Sequence, residues 1–175
     1  MKKYYDIIGV KPTDSETTIR LATRERLKEV IFDDEAKALE IAEAYVVLSN
    51  EREKKKYDET PDGEYKYDST IPYLKKPDRI VGEVKSQVYA RKFEYEGKIK
   101  KAMGGMVGGF AGFVLLTIVT LILLFAVGLI IYIIPIAAIA SLGLGIGGIS
   151  EYFKLLKNKK KFLERDIWEY VELPH

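Results

Sequence analysis

The chain has 175 residues, no cysteine and one histidine, His175, which excludes disulfides and thiolate chemistry and gives no footing to a zinc site or to histidine acid-base catalysis. Its 28 basic and 26 acidic residues nearly cancel, leaving a formal net charge of +2, so no global signature of a nucleic-acid binder is present. A block from Met103 to Ile149 carries no charge at all, and about sixty residues at the N-terminus are left to build a folded unit with a thin core.

The run Tyr4 to Val10, YYDIIGV, is short and apolar and stops at Lys11-Pro12-Thr13-Asp14. Proline blocks continuation of a helix there, and Asp14 or Ser15 can cap the next one. A second helix is predicted from Glu16 to about Phe32. Ile19, Thr23, Leu27 and Val30, with Ala22 beside them, recur at helical spacing, and Arg20, Arg24 and Lys28 form a basic stripe on a neighbouring face. Asp33-Asp34 interrupts the pattern. A third helix, about Glu35 to Leu48, is expected to bury Ala38, Leu39, Ile41, Ala42, Tyr45 and Leu48. Ser49-Asn50 ends it or caps a short charged fourth helix, Glu51 to Tyr57, which has little to bury but Tyr57. The pattern predicts two antiparallel helices joined by a short loop and bracketed by two small ones.

At these residues the chain resembles the J-domain (DnaJ-like) family. YYDIIGV is similar to the family's opening YYEILGV, EAYVVLSN at Glu43 to Asn50 to its EAYEVLSD, and EREKKKYD at Glu51 to Asp58 to its charged fourth helix ending in KYD. The three segments stand in the right order and cover roughly the first third of the chain. The resemblance implies a four-helix domain over residues 1–59. It also implies a partner, a DnaK-type chaperone of the heat-shock-seventy family, docked on the basic second helix at Arg20, Arg24 and Lys28, with Asp33 at its end. The family stimulates its partner's ATPase through a His-Pro-Asp tripeptide after that helix. The aligned positions here are Ile31, Phe32 and Asp33, so only the aspartate is kept, and the loop to the third helix is shorter than usual. Arg26 stands where an apolar residue is normal, with Leu27 placed to take the core role. The resemblance therefore implies the fold, with ATPase stimulation weak or absent. Read from the residues alone, the basic stripe is equally a solvated helix face and Asp33 a loop or cap residue.

Thr60 to Pro77 is turn-rich, with Pro61-Asp62-Gly63, Pro72 and Pro77, and reads as a linker lacking a core. Over residues 78–102, Val81, Val84, Val88, Tyr95 and Ile99 return at roughly helical spacing among lysines and arginines. An amphipathic helix lying along lipid headgroups fits this pattern. A strand pair is the rival, because VKSQVYARKFEYEG is rich in β-branched and aromatic residues.

The uncharged block, 103–149, reads as a membrane anchor. About 45 apolar residues are too many for one crossing of a bilayer core of about 30 Å and enough for two. Lys98, Lys100 and Lys101 before it and Lys154, Lys157, Lys159, Lys160 and Lys161 after it place both ends in the cytoplasm. Small residues recur at every fourth position, Gly104, Gly108 and Gly112 on the first span and Ala137, Ser141 and Gly145 on the second. Antiparallel pairing of Gly108 with Gly145 and Gly112 with Ser141 puts the bend near Ala126, Val127 and Gly128, with Pro135 a rival turn marker. Gly143, Gly145 and Gly148 have the G-x-G-x-x-G spacing of a dinucleotide site, but no soluble strand precedes them, and close helix packing is the plain reading. The remaining 150–175 forms a basic tail. A helix from Ser150 to Arg165 carries Lys157, Lys159, Lys160 and Lys161 toward anionic headgroups, or the same lysines simply set topology. Asp166 to His175, with Trp168 and Tyr170, docks either on the Asp78 to Lys98 segment or on a partner.

The expected fold is all-α, a small J-like antiparallel helical domain plus a two-helix transmembrane hairpin, in an integral multi-pass membrane protein with both termini cytoplasmic. No Asp, Glu, His or Cys cluster has ligand or catalytic spacing, and the spans hold no ionisable side chain but Tyr132, so no enzyme, transporter, metal or cofactor is expected. Two functions fit. One is a membrane-anchored co-chaperone or adaptor that localises a DnaK-type chaperone or its clients at the bilayer. The other is a small scaffold that uses the helical domain as a chaperone-independent interaction module and forms homo-oligomers through its glycine stripes.

Overall fold

The structure, a computed structural model, describes residues 2–127 and 133–174, with side chains described over 2–122 and 139–174. Every regular element among these residues is helical, so the chain is all-α. Helix α1 (Lys3–Ile8) ends at Gly9, whose φ of 82° suits glycine and whose N–H donates to the Tyr5 carbonyl at 2.8 Å. Three side-chain caps set the next starts, each satisfying a backbone N–H that the first helical turn leaves over. Ser15 accepts from Thr18 at 3.2 Å before α2 (Glu16–Val30), Asp34 from Lys37 at 3.0 Å before α3 (Glu35–Ser49), and Asn50 from Glu53 at 3.1 Å before α4 (Glu51–Glu59).

Helix α2 buries Ile19, Thr23, Leu27 and Val30, the positions its spacing picks out. Leu27 is fully enclosed, while Arg26 stays exposed and lies 3.8 Å from Glu29. Helix α3 buries Ala38, Ile41, Ala42, Tyr45 and Leu48, but also Ala44, Val46 and Val47, and Leu39 is only half-buried. A helix enclosed on nearly all sides needs a second cover beyond its antiparallel neighbour. Leu74, Ile80 and Pro174 supply part of it, lining a cavity of about 80 Å³ with Tyr45 and Val46.

The chain divides into two compact units, Met1–Ala90 with Ile167–His175, and Arg91–Asp166. Helix α5 (Pro77–Val127) contributes to both. In the first unit, residues 60–77 are more than the coreless linker expected from their turns. Leu74 is buried, the Tyr65 and Tyr73 hydroxyls both donate to the Glu53 carboxylate at 2.9 Å, and the Tyr67 hydroxyl donates to the Lys75 carbonyl at 3.2 Å. Residues 78–102 are helix throughout, and the strand alternative falls. Ile80, Val81, Val84 and Val88 are at most 7% exposed, so protein rather than lipid headgroups covers this apolar face. The C-terminal residues dock here too, with Ile167, Trp168, Val171 and Leu173 all buried.

In the second unit, α5 and α6 (Ile133–Lys161) pack antiparallel, and a π-helical turn (Phe162–Asp166) leads to the short α7 (Ile167–Glu169) of the first unit. Tyr95 stacks on Phe162 with centroids 4.1 Å apart and donates its hydroxyl to the Leu155 carbonyl at 2.7 Å. The glycine contact runs one residue away from the register read in sequence. A Cβ on Gly109, not Gly108, would meet Gly145, at 2.6 Å from its Cα, and one on Gly148 would lie 2.8 Å from Met106 Cα. Gly112 faces Ser141 as expected, while Gly104 and Gly108 have nothing within 4 Å. The Ser141 hydroxyl donates to the Gly109 carbonyl at 2.7 Å. Helix α5 is still helical at Ala126 and Val127. Gly128 lies outside the described residues, as does the side chain of Ala137. Pro135 sits in the first turn of α6, where a missing N–H costs no intrahelical bond. Among the described residues one helix, over Pro77–Ile122, is long and apolar enough to cross a membrane.

Candidate partner-docking surface

The basic stripe of α2 survives folding as a row, but not as a row of freely solvated charges. The side chains of Arg20, Arg24 and Lys28 are 30%, 23% and 30% exposed. Arg20 pairs with Glu16 at 2.7 Å, and Glu25 stands 4.0 Å from Arg24 and 3.8 Å from Lys28. The α2 spacing brings all three to one side because residues four apart lie one turn above another. Arg20 also lies beside the Tyr45 hydroxyl, whose affinity for its proton is raised by burial and partly offset by the guanidinium. The stripe is thus a half-covered cationic edge running along the α2 surface.

The turn that follows is tight. The Asp33 and Asp34 N–H groups both donate to the Val30 carbonyl, at 3.0 and 2.8 Å. Its three residues go separate ways: Ile31 is 1% exposed in the core, Phe32 is half-exposed and edge-on to Tyr89 with centroids 5.6 Å apart, and Asp33 is exposed. Of the three, only Asp33 carries an ionisable side chain.

The comparisons with known proteins bear on this unit. The chain is 44% identical over 66 residues to a protein named curved DNA-binding protein from Escherichia coli O1:K1, and equally to those of Citrobacter koseri and Salmonella arizonae. The match covers 34% of this chain, and the chain spans about a fifth, 21%, of the length of those relatives. No family model matches, and no solved structure does. The three sequence segments on α1, α3 and α4 and the antiparallel α2–α3 pair point the same way. The chain is similar to J-domain proteins over about a third of its length.

Around its first helix the J-like unit is held by tyrosines, a feature periodicity did not reveal. Tyr4 stacks on Tyr57 at 4.8 Å and hydrogen-bonds Glu43, Tyr5 donates to Asp58 at 2.8 Å, and Tyr65 lies edge-on to Tyr57 at 5.1 Å. Burial and these carboxylates push the hydroxyls of Tyr4, Tyr5 and Tyr65 well above the ordinary tyrosine range. Glu53 is 2% exposed, and both of its oxygens accept from tyrosines of the turn-rich segment 60–77. Only its place three residues after the Asn50 cap hinted at a special role. Lys2 reaches across to the Tyr57, Asp58 and Thr60 carbonyls, closing the end of α4. In the other unit, Lys157, Lys160 and Lys161 are exposed and Lys159 half-exposed, on the last turns of α6, where lysines complement the helix dipole.

Proposed function

We propose that this protein is a membrane-anchored J-like co-chaperone or adaptor that localises a DnaK-type chaperone or its clients at the bilayer, with little or no stimulation of ATP hydrolysis. The observation that carries it is the J-like unit with Ile31-Phe32-Asp33 in the turn where the family's tripeptide stands, Ile31 buried and Asp33 exposed. Arg20, Arg24, Lys28 and Asp33 are the docking residues in this reading, facing an acidic partner surface. The α5–α6 pair is the anchor, a hairpin of two crossings with both chain ends in the cytoplasm. Outward apolar side chains support it, since Val114, Leu115, Ile118, Leu121 and Ile122 are 52–64% exposed. Lys157, Lys159, Lys160 and Lys161 lie against anionic headgroups. The protein is not an enzyme and takes no cofactor or nucleic acid in this reading.

A chaperone-independent scaffold is the second reading, favoured by the pairing of the stripe with Glu16 and Glu25, which leaves less charge to offer. The test uses the full chain in phospholipid nanodiscs, because the first unit includes α5 residues and the C-terminal segment. Binding of a DnaK-type chaperone and its steady-state ATPase are measured with the wild type and with Arg24→Glu/Lys28→Glu. The expected result is binding without stimulation, weakened at least tenfold by charge reversal. Binding that ignores the reversal, or no binding, refutes the co-chaperone reading in favour of the scaffold.

A further inference from the structure

The C-terminal segment Ile167–Pro174 is held the way a bound peptide is held. Ile167, Trp168, Val171 and Leu173 are 1–5% exposed, while Glu169, Tyr170 and Glu172 face outward, and the segment contains no lysine or arginine. Its backbone is recognised as well. The Gln87 carboxamide donates to the Glu172 carbonyl and accepts the Glu172 N–H, both at 2.9 Å, the exchange a neighbouring strand would make. The Tyr45 hydroxyl donates to the Pro174 carbonyl at 3.2 Å, and the same hydroxyl lies beside Arg20, the first residue of the basic stripe. Main-chain bonds plus sockets for apolar side chains are the physics of peptide recognition, here of one helical turn followed by an extended run, and Arg20 beside Tyr45 supplies positive charge at the end of that run.

We propose that this groove, floored by α3 and α5 and edged by α2, is a docking site for an acidic peptide with apolar anchors, one helical turn followed by an extended run, and that the chain's own residues 167–174 occupy it as a tethered competitor. That the chaperone supplies such a peptide rests on the function proposed above; the groove itself does not. A tethered segment presents itself at an effective concentration of the order of 1 mM. A free peptide with an intrinsic dissociation constant near 10 μM therefore binds the intact chain on the order of 100-fold more weakly than it binds an emptied groove.

The probe is a fluorescein-labelled synthetic peptide copying residues 167–175, titrated against the protein in phosphatidylcholine nanodiscs. Three forms are compared: the full chain, the chain ending at Asp166, and full-length Trp168→Ala, which keeps the segment but removes its largest anchor. The expected result is capture by both altered forms about 100-fold tighter than by the wild type, with Gln87→Ala in the shortened chain weakening capture again. Trp168 is the chain's only tryptophan, so in the wild type millimolar peptide with phenylalanine in its place, which keeps an aromatic anchor, shifts Trp168 emission to the red as the segment leaves. Equal affinity for all three forms, or no capture with Trp168 emission unmoved, overturns the groove and makes the segment a structural strap only. Adding a DnaK-type chaperone separates the two readings. Displacement of the peptide supports both, whereas a chaperone that binds the full chain while the peptide is never captured retains the co-chaperone reading and overturns the groove.

Discussion

Replacing Gly109 by alanine places a methyl carbon 2.6 Å from Gly145 Cα and 2.9 Å from the Ser141 carbonyl oxygen, and closer still to the Gly145 nitrogen. Non-bonded carbons rest at about 3.5–4.0 Å, so α5 and α6 must part by roughly 1 Å along this line. All three neighbours are backbone atoms, and no side-chain rotation relieves the clash. A shift of that size takes the 2.7 Å bond from Ser141 to the Gly109 carbonyl beyond hydrogen-bonding range. Overpacking of this kind costs about 1–3 kcal/mol, and, in the anchor proposed above, a lost hydrogen bond between helices about 0.6 kcal/mol. Against them stands the gain of about 0.8–1.0 kcal/mol in helix propensity from glycine to alanine. The net loss for Gly109→Ala is about 0.6–2.8 kcal/mol by these terms. Gly108→Ala meets nothing within 4 Å, takes only the propensity gain, and is neutral or slightly stabilising. Reversible unfolding of the full chain in mixed detergent micelles, followed by circular dichroism, compares the two. The reasoning is refuted if Gly108→Ala loses as much as Gly109→Ala, because that restores the register in which Gly108 opposes Gly145.

Two further outcomes follow from the J-like unit. Glu53→Ala removes the acceptor of two tyrosine hydroxyls; hydrogen bonds to a charged group contribute roughly 1.5–3 kcal/mol each, so urea unfolding should show a loss of about 3 kcal/mol. Tyr73→Phe should lose less, since that ring is 50% exposed and water replaces the bond; equal losses would argue against Glu53 as the shared acceptor. Tyr4, Tyr5 and Tyr65 hold their protons more tightly folded than unfolded. Their contribution is fully present below the ordinary tyrosine value of about 10 and is lost as pH rises above it toward the folded values. Urea midpoints measured from pH 8 to 11 should therefore stay level and then fall, and Tyr4→Phe/Tyr65→Phe should flatten that fall. An unchanged slope in the double variant would mean the alkaline loss comes from elsewhere.

The core positions of α2 are legible residue by residue because their information is local, whereas in α3 Leu39 stays half-buried and Ala44, Val46 and Val47 join the buried set. Ser15, Asp34 and Asn50 cap the helices they precede, and a 3.6-residue period marks Ile19, Thr23, Leu27 and Val30 whatever lies opposite. Helical spacing over 78–102 is also readable, but what covers its apolar face is not. A face of Ile80, Val81, Val84 and Val88 looks alike to a lipid headgroup layer and to a protein groove, since burial rewards the loss of apolar surface from water without regard to what displaces it. The same ambiguity hid the fate of Trp168 and Leu173. Turn residues at 60–77 correctly announced irregular backbone, yet said nothing of Tyr65 and Tyr73, whose partner Glu53 lies on another element.

By itself, then, the sequence pointed to an all-α chain, a J-like N-terminal unit, an uncharged apolar block with lysines at both ends, and which helix carries the basic stripe. Tertiary structure decided which glycine column closes between α5 and α6, that the first unit draws its second cover from α5 and residues 167–174, and that Arg20, Arg24 and Lys28 are half-covered. The reason is one of range. Periodicity and capping are fixed by neighbours within about four residues, whereas register between helices and the partner of an apolar face depend on residues far away in sequence, whose meeting only the folded chain settles.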